Sequence, residues 1–235
     1  MKNRFYGDVN DYIKYGILDI LSKKYKSIGI NWYLTDDCHG NQKHGNDTRY
    51  LDKNKKWEIY NPRIFPLLKQ RVITNQRDVA FCKADGVITF HAEHTDQLPD
   101  NLSRSLYPNA RNTWHNKALK TLGDCDLVFF DPDIGIKSKL ARDPVKASEY
   151  CELNEITNYN WCDWLIVMFL GYSRRFGQLM KNPIVISAKQ HGKKVMVFLY
   201  GRMALLYISS EIQDEILSRV FEEWDTRIRT NILVF

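Results

Sequence analysis

Residues 126–135 read DLVFFDPDIG, in which four apolar residues, Leu127 to Phe130, run straight into a carboxylate, a proline, a second carboxylate and a glycine. A short, continuous apolar run bounded by turn residues predicts a strand buried on both faces. Asp131 then stands at its carboxyl end. Two other stretches share this character. Residues 27–34 (SIGINWYL) lead into the polar turn TDDCHGNQKHGND, and residues 164–170 read WLIVMFL. Between them lie helical patterns. Ile13, Ile17, Leu18 and Leu21 recur at helical spacing over 8–24, and helices are predicted over 62–72, 113–122, 144–157 and 211–224, the last capped by Ser210 with Gln213. Asp85-Gly86 predicts a hairpin between strands 79–82 and 87–92. Strands over 195–200, 203–209 and 227–235 complete the chain. Fully apolar strands alternating with amphipathic helices predict an α/β fold: a doubly wound, mostly parallel sheet covered on both faces, with an antiparallel edge strand at the C-terminal end.

The 235 residues, 44% hydrophobic and 26% charged, suit one α/β domain spanning 1–235. No apolar run approaches the roughly 20 residues a bilayer requires, so no membrane partner is expected. Five scattered cysteines without a CxxC pair argue against a disulfide framework and predict a reducing, cytoplasmic setting. The net charge of +6 tilts the expected partner toward nucleic acid or a nucleotide.

Open α/β sheets bind ligands outside the carboxyl ends of their strands. Two segments of the required chemistry fall there: Asp36, Asp37, His39, Gly40 and Asn41 after the first strand, and Asp131-Pro132-Asp133 after the 127–130 strand. A carboxylate in such a place accepts hydrogen bonds from a ribose or an amino group, or holds a divalent cation. A third cluster opens the chain, where Asp11 and Lys14 share one face of the first helix, with Asp8 or Asn10 as its cap. His91, Glu93 and His94 do not converge in a strand, since His94 points away from the other two. No Walker A, GxSxG or GxGxxG motif occurs.

Taken in order, GDVNDYIKYGILDIL, WYLTDDCHGNQKHGNDTRYL and LVFFDPDIG resemble the bacterial 23S ribosomal RNA adenine-N6 methyltransferases, which carry a GNxxDxxKH helix, a DTHAGxGxY turn and a DPPY motif. The matching positions are Gly7, Asp11 and Lys14; Asp37, His39, Gly40 and Tyr50; Asp131 and Pro132. The fuller pattern, YGDxxDYxKYG with LVFxDPDxG, is closer to a family of bacterial and phage proteins with no assigned activity. The resemblance implies a Rossmann-like methyltransferase fold and S-adenosylmethionine as cofactor. Asp37, His39 and Gly40 would line the cofactor site, Asp11 and Lys14 would cover it, and Asp131 would stand near the reacting group. Asp133 and Ile134 replace the last two residues of DPPY, which removes the stacking ring and adds a charge. That departure opens a second reading, a Mg²⁺-dependent phosphoesterase or nuclease using Asp37, Asp131 and Asp133. A third is a non-catalytic nucleotide- or protein-binding derivative of the fold.

Overall fold

The computed structural model describes residues 1–37, 47–137, 139–140, 143–170, 179–212, 214–224 and 227–233. Helix α1 (Val9–Leu21) is capped by Asp8, whose carboxylate accepts the Asn10 and Asp11 amides, and leads into β1 (Ile28–Asn31). Helices α2 (Asn54–Trp57), α3 (Ile64–Ile73) and α4 (Ala80–Ala84) precede β2 (Ala92–His94), and α5 (Tyr107–Thr121) precedes β3 (Leu127–Phe130). A short ribbon of β4 (Gly135–Lys137) and β5 (Tyr150–Glu152) brackets α6 (Pro144–Ser148), and α7 (Leu153–Thr157) leads to β6 (Asp163–Phe169). Helix α8 (Pro183–Gln190), the hairpin of β7 (Lys194–Tyr200) and β8 (Met203–Ser209), α9 (Asp214–Trp224) and β9 (Arg229–Leu233) follow.

The main sheet has the order β2-β1-β3-β6-β8-β7-β9. Strands β2, β1, β3 and β6 pair in parallel, while β8 runs antiparallel to both its neighbours and β9 runs antiparallel to β7 at the edge. The α/β class, the mainly parallel direction and the antiparallel C-terminal edge strand therefore match the sequence reading. A second reversed strand, β8, lies inside the sheet, entered through a two-residue turn in which Gly201 takes φ +56°.

Alternate residues of each strand feed two separate cores. Ile28, Ile30, Leu127, Phe129, Leu165 and Val167 pack with α1, α3, α4 and α9. Val128, Phe130, Trp164, Ile166 and Met168 pack with α5, α7 and α8 on the other face. This is why the strands read as unbroken apolar runs: neither face meets water. Cys82, Cys125, Cys151 and Cys162 are free thiols within these cores. Among the described residues no helix is long and apolar enough to cross a membrane.

Three expectations are corrected. Residues 80–84 form α4, not a hairpin strand; Asp85 and Gly86 end the helix, with Gly86 at φ +62° and the Gly86 and Val87 amides returning to the Lys83 and Cys82 carbonyls. That is the bonding of a Schellman stop, which uses the same Asp-Gly pair as a hairpin. The helix expected over 144–157 is interrupted, because β5 pairs with β4. The first strand ends at Asn31 instead of 34, since Tyr33 takes φ +45° and turns the chain. Gln213, the expected partner in the cap of α9, lies outside the described residues.

Candidate functional site

After β1 the chain crosses to β2 on one side, then returns past β1 to β3 on the other. The strand order thus reverses between β1 and β3, and the crevice outside their carboxyl ends is where a doubly wound sheet takes its ligands. Asp131 is the first residue beyond β3, and its amide donates to the Asn31 carbonyl at the end of β1 at 3.1 Å. Tyr33, just past β1, holds a left-handed backbone that a bulky side chain rarely adopts, a strain that clusters at functional sites.

Lys14 bridges the two elements. Its Nζ lies 2.6 Å from Asp11 Oδ1 and donates to both Asp131 carboxylate oxygens at 3.0 Å. Asp11 in turn accepts the Gly7 amide at 3.0 Å, which fixes its rotamer. The expected sharing of a helix face by Asp11 and Lys14 is realised, and all three side chains are buried. Burial alone would discharge Lys14, but Asp11, Asp131 and Asp8 outweigh it and raise its pKa, so the ammonium persists. Burial raises Asp131 above the usual carboxylate range, against the pull of Lys14. Asp8 is raised too, by burial and then by Asp11. The hydroxyls of Tyr6 and Tyr15, rings 6.2 Å apart beside this cluster, find no hydrogen-bond partner among the described residues.

Asp133 belongs to a second set. Its carboxylate meets the Met1 ammonium at 2.7 Å and the Lys2 ammonium, and accepts the Thr35 hydroxyl at 3.2 Å. Burial favours its neutral form, yet those cations outweigh burial and hold its pKa at about 2. Asp37 lies further along: its carbonyl accepts the Arg4 guanidinium, and its carboxylate accepts the Arg4 amide at 3.4 Å. His39 and Gly40 lie outside the described residues. Among the described residues no three carboxylate, imidazole or thiol groups gather as a metal site.

Sequence reading missed the feature beside this crevice. A groove of about 480 Å³ opens outside the ends of β1 and β2, walled by Leu34, Val79, Ala80 and Ala84 and edged by Asn3, Asp78, Lys83, Glu93 and Thr95. One carboxylate oxygen of Glu93 accepts the Trp32 indole N–H at 3.1 Å, and the other lies 3.9 Å from Lys83. His94 faces the opposite core, its ring 4.9 Å from that of Trp114, as strand alternation requires. Glu93 was in view beside His91 and His94, but its place in the groove was not, because β2 covers 92–94 where the expected strand ran over 87–92. No protein-family model, curated protein or solved structure matches the chain.

Proposed function

We propose that the chain is a Rossmann-like methyltransferase that seats S-adenosylmethionine along the carboxyl ends of β1 and β2 and acts on a nucleic-acid substrate presented near Asp131. The observation that carries this reading is the groove itself: apolar on the Leu34, Val79 and Ala80 side, and carrying a carboxylate, Glu93, at the end of the second strand. An apolar wall suits a purine, and a carboxylate at that strand end suits ribose hydroxyls. Asp37, His39 and Gly40 would complete the cofactor side, and the cofactor would supply an electrophilic methyl group.

The residues of this chain would bind and orient. Glu93 accepts hydrogen bonds from the ribose. Asp131 keeps acceptor capacity beyond its two bonds to Lys14, because a carboxylate offers about four lone-pair sites. It can therefore hold a substrate amino group by its N–H while Lys14 and Asp11 fix its position. The Mg²⁺-dependent phosphoesterase or nuclease reading draws less support. Asp131 faces Lys14 and Asp133 faces Lys2, so a cation would have to displace an ammonium at each.

Titration calorimetry with S-adenosylhomocysteine tests the reading. Wild type should bind, and Glu93→Gln should weaken binding by about tenfold, the worth of one charge-assisted hydrogen bond of roughly 1.4 kcal/mol. Asp131→Asn should bind as wild type does. Binding of Mg²⁺ in place of S-adenosylhomocysteine, lost in Asp131→Asn, would overturn the proposal.

A further inference from the structure

Residues 1–5 run across the switch-point crevice and touch both its lips. Lys2, only 4% exposed, places its ammonium against Asp133 beyond β3 and donates to Thr35 Oγ1 beyond β1 at 3.1 Å. The Met1 carbonyl accepts the Thr35 amide at 3.0 Å. Asn3 donates to Asp78 at 3.3 Å and accepts the Val79 amide at 3.2 Å, just ahead of α4. Arg4 donates to the Asp37 carbonyl. One short segment thus ties the end of β3, the end of β1 and the far wall of the groove. Asn3 lines the groove, whereas Asp131 and Lys14 do not, and these two are 1% and 4% exposed. A ligand in the groove therefore has no open path to Asp131. The Met1 side chain is buried in the core, whereas the side-chain contacts of Lys2, Asn3 and Arg4 described above are ion pairs and hydrogen bonds. Such polar contacts can be exchanged for those of a polar ligand.

We propose that residues 1–5 form a strap that closes the switch-point crevice, separating the groove from Asp131 and Lys14, and that ligand binding displaces it. This rests on the reading of the groove as a cofactor seat. Lys2 and Arg4 act as the latch: they place cations against Asp133 and the Asp37 carbonyl, and a ligand entering the crevice must break those contacts.

The test uses the full chain, as wild type and as Lys2→Ala/Arg4→Ala, with two readouts: hydrogen exchange of the Thr35 amide and calorimetric binding of S-adenosylhomocysteine. In the variant the Thr35 amide should exchange at least tenfold faster, and S-adenosylhomocysteine should bind at least tenfold more tightly. In the wild type, saturating S-adenosylhomocysteine should speed Thr35 exchange. If the variant exchanges faster yet binds within twofold of wild type, the strap is no gate, and the cofactor seat stands. Unchanged exchange in the variant overturns the latch. Should the opened variant and the wild type both fail to bind S-adenosylhomocysteine, the cofactor reading falls and the strap with it. If the variant does not fold, the wild type decides: bound S-adenosylhomocysteine that leaves Thr35 protected overturns the strap.

Discussion

Lys14 stands between Asp11 and Asp131 with both carboxylates within 3.0 Å, and every one of the three is buried. Removing the ammonium leaves two uncompensated acids in one dry place, and breaking a buried pair in this way costs about 3–5 kcal/mol. Lys14→Met should lower the unfolding free energy obtained from urea titration by that amount, seen as a lower midpoint. Lys14→Met/Asp131→Asn should recover part of the loss, because one of the stranded charges is gone. A Lys14→Met midpoint equal to wild type would show that the pair contributes nothing. The partnership was half legible in the sequence. The spacing of Asp11 and Lys14 on one helix face was readable, and so was the place of Asp131 after an apolar strand. Their meeting across 117 residues was not, since it depends on how α1 lies over the sheet. The departure at Asp133 was visible as an added charge, but its Lys2 partner was not, because nothing in local spacing joins residues 131 apart.

Helix α1 shows the same division between pattern and packing. Its apolar stripe is plain in the sequence, whereas the reason for Gly16 is not. A methyl group built on Gly16 would come within 1.9 Å of the Trp224 ring, which α9 lays across α1. Helix propensity alone makes alanine better than glycine by about 1 kcal/mol. Here the crossing wins: overpacking of this kind costs typically ~1–3 kcal/mol. Gly16→Ala should therefore lower Tm, and Gly16→Ala/Trp224→Phe should recover part of it. A rise in Tm for the single variant would mean that α9 shifts freely. The misread segment 79–92 has a different cause. Asp-Gly serves both a hairpin and a helix stop, and only the inward burial of Val79 and Cys82, three apart, distinguishes the two. The central strands suffered no such ambiguity, because both of their faces are apolar and no helix of four to seven residues would need that.

At the scale of the whole molecule the acid limb of stability has two parts. Burial pushes His94 down to about 4, below an unfolded value near 6.5, so the unfolded chain takes up the proton first. The share of stability that His94 carries is whole above about pH 6.5 and is lost as pH falls toward about 4, while Asp8 and Asp131, raised by burial, act in the opposite sense. Asp133, held at about 2 against an unfolded value near 3.9, adds a second loss from about pH 4 down through 2. His94→Gln should flatten the upper limb of a Tm profile and leave the lower one; His115, also lowered by burial, leaves a residual slope. An unchanged upper limb would remove His94 from the account. The mostly parallel sheet was implied by the strand–helix alternation, but its strand order was not, and the groove depends on where β2 ends, which three residues of strand could not announce. The buried thiols carry a further consequence. An alkylating reagent needs both access and a thiolate, and burial denies both, raising Cys125 to about 11 and Cys162 to about 12. Modification of any of these sulfurs must wait for the protein around it to open. Cys82 in α4, Cys125 ahead of β3, Cys151 in the ribbon and Cys162 ahead of β6 are thus four stopwatches set in different parts of one chain. The order in which they react under native conditions would chart which piece of the molecule lets go first.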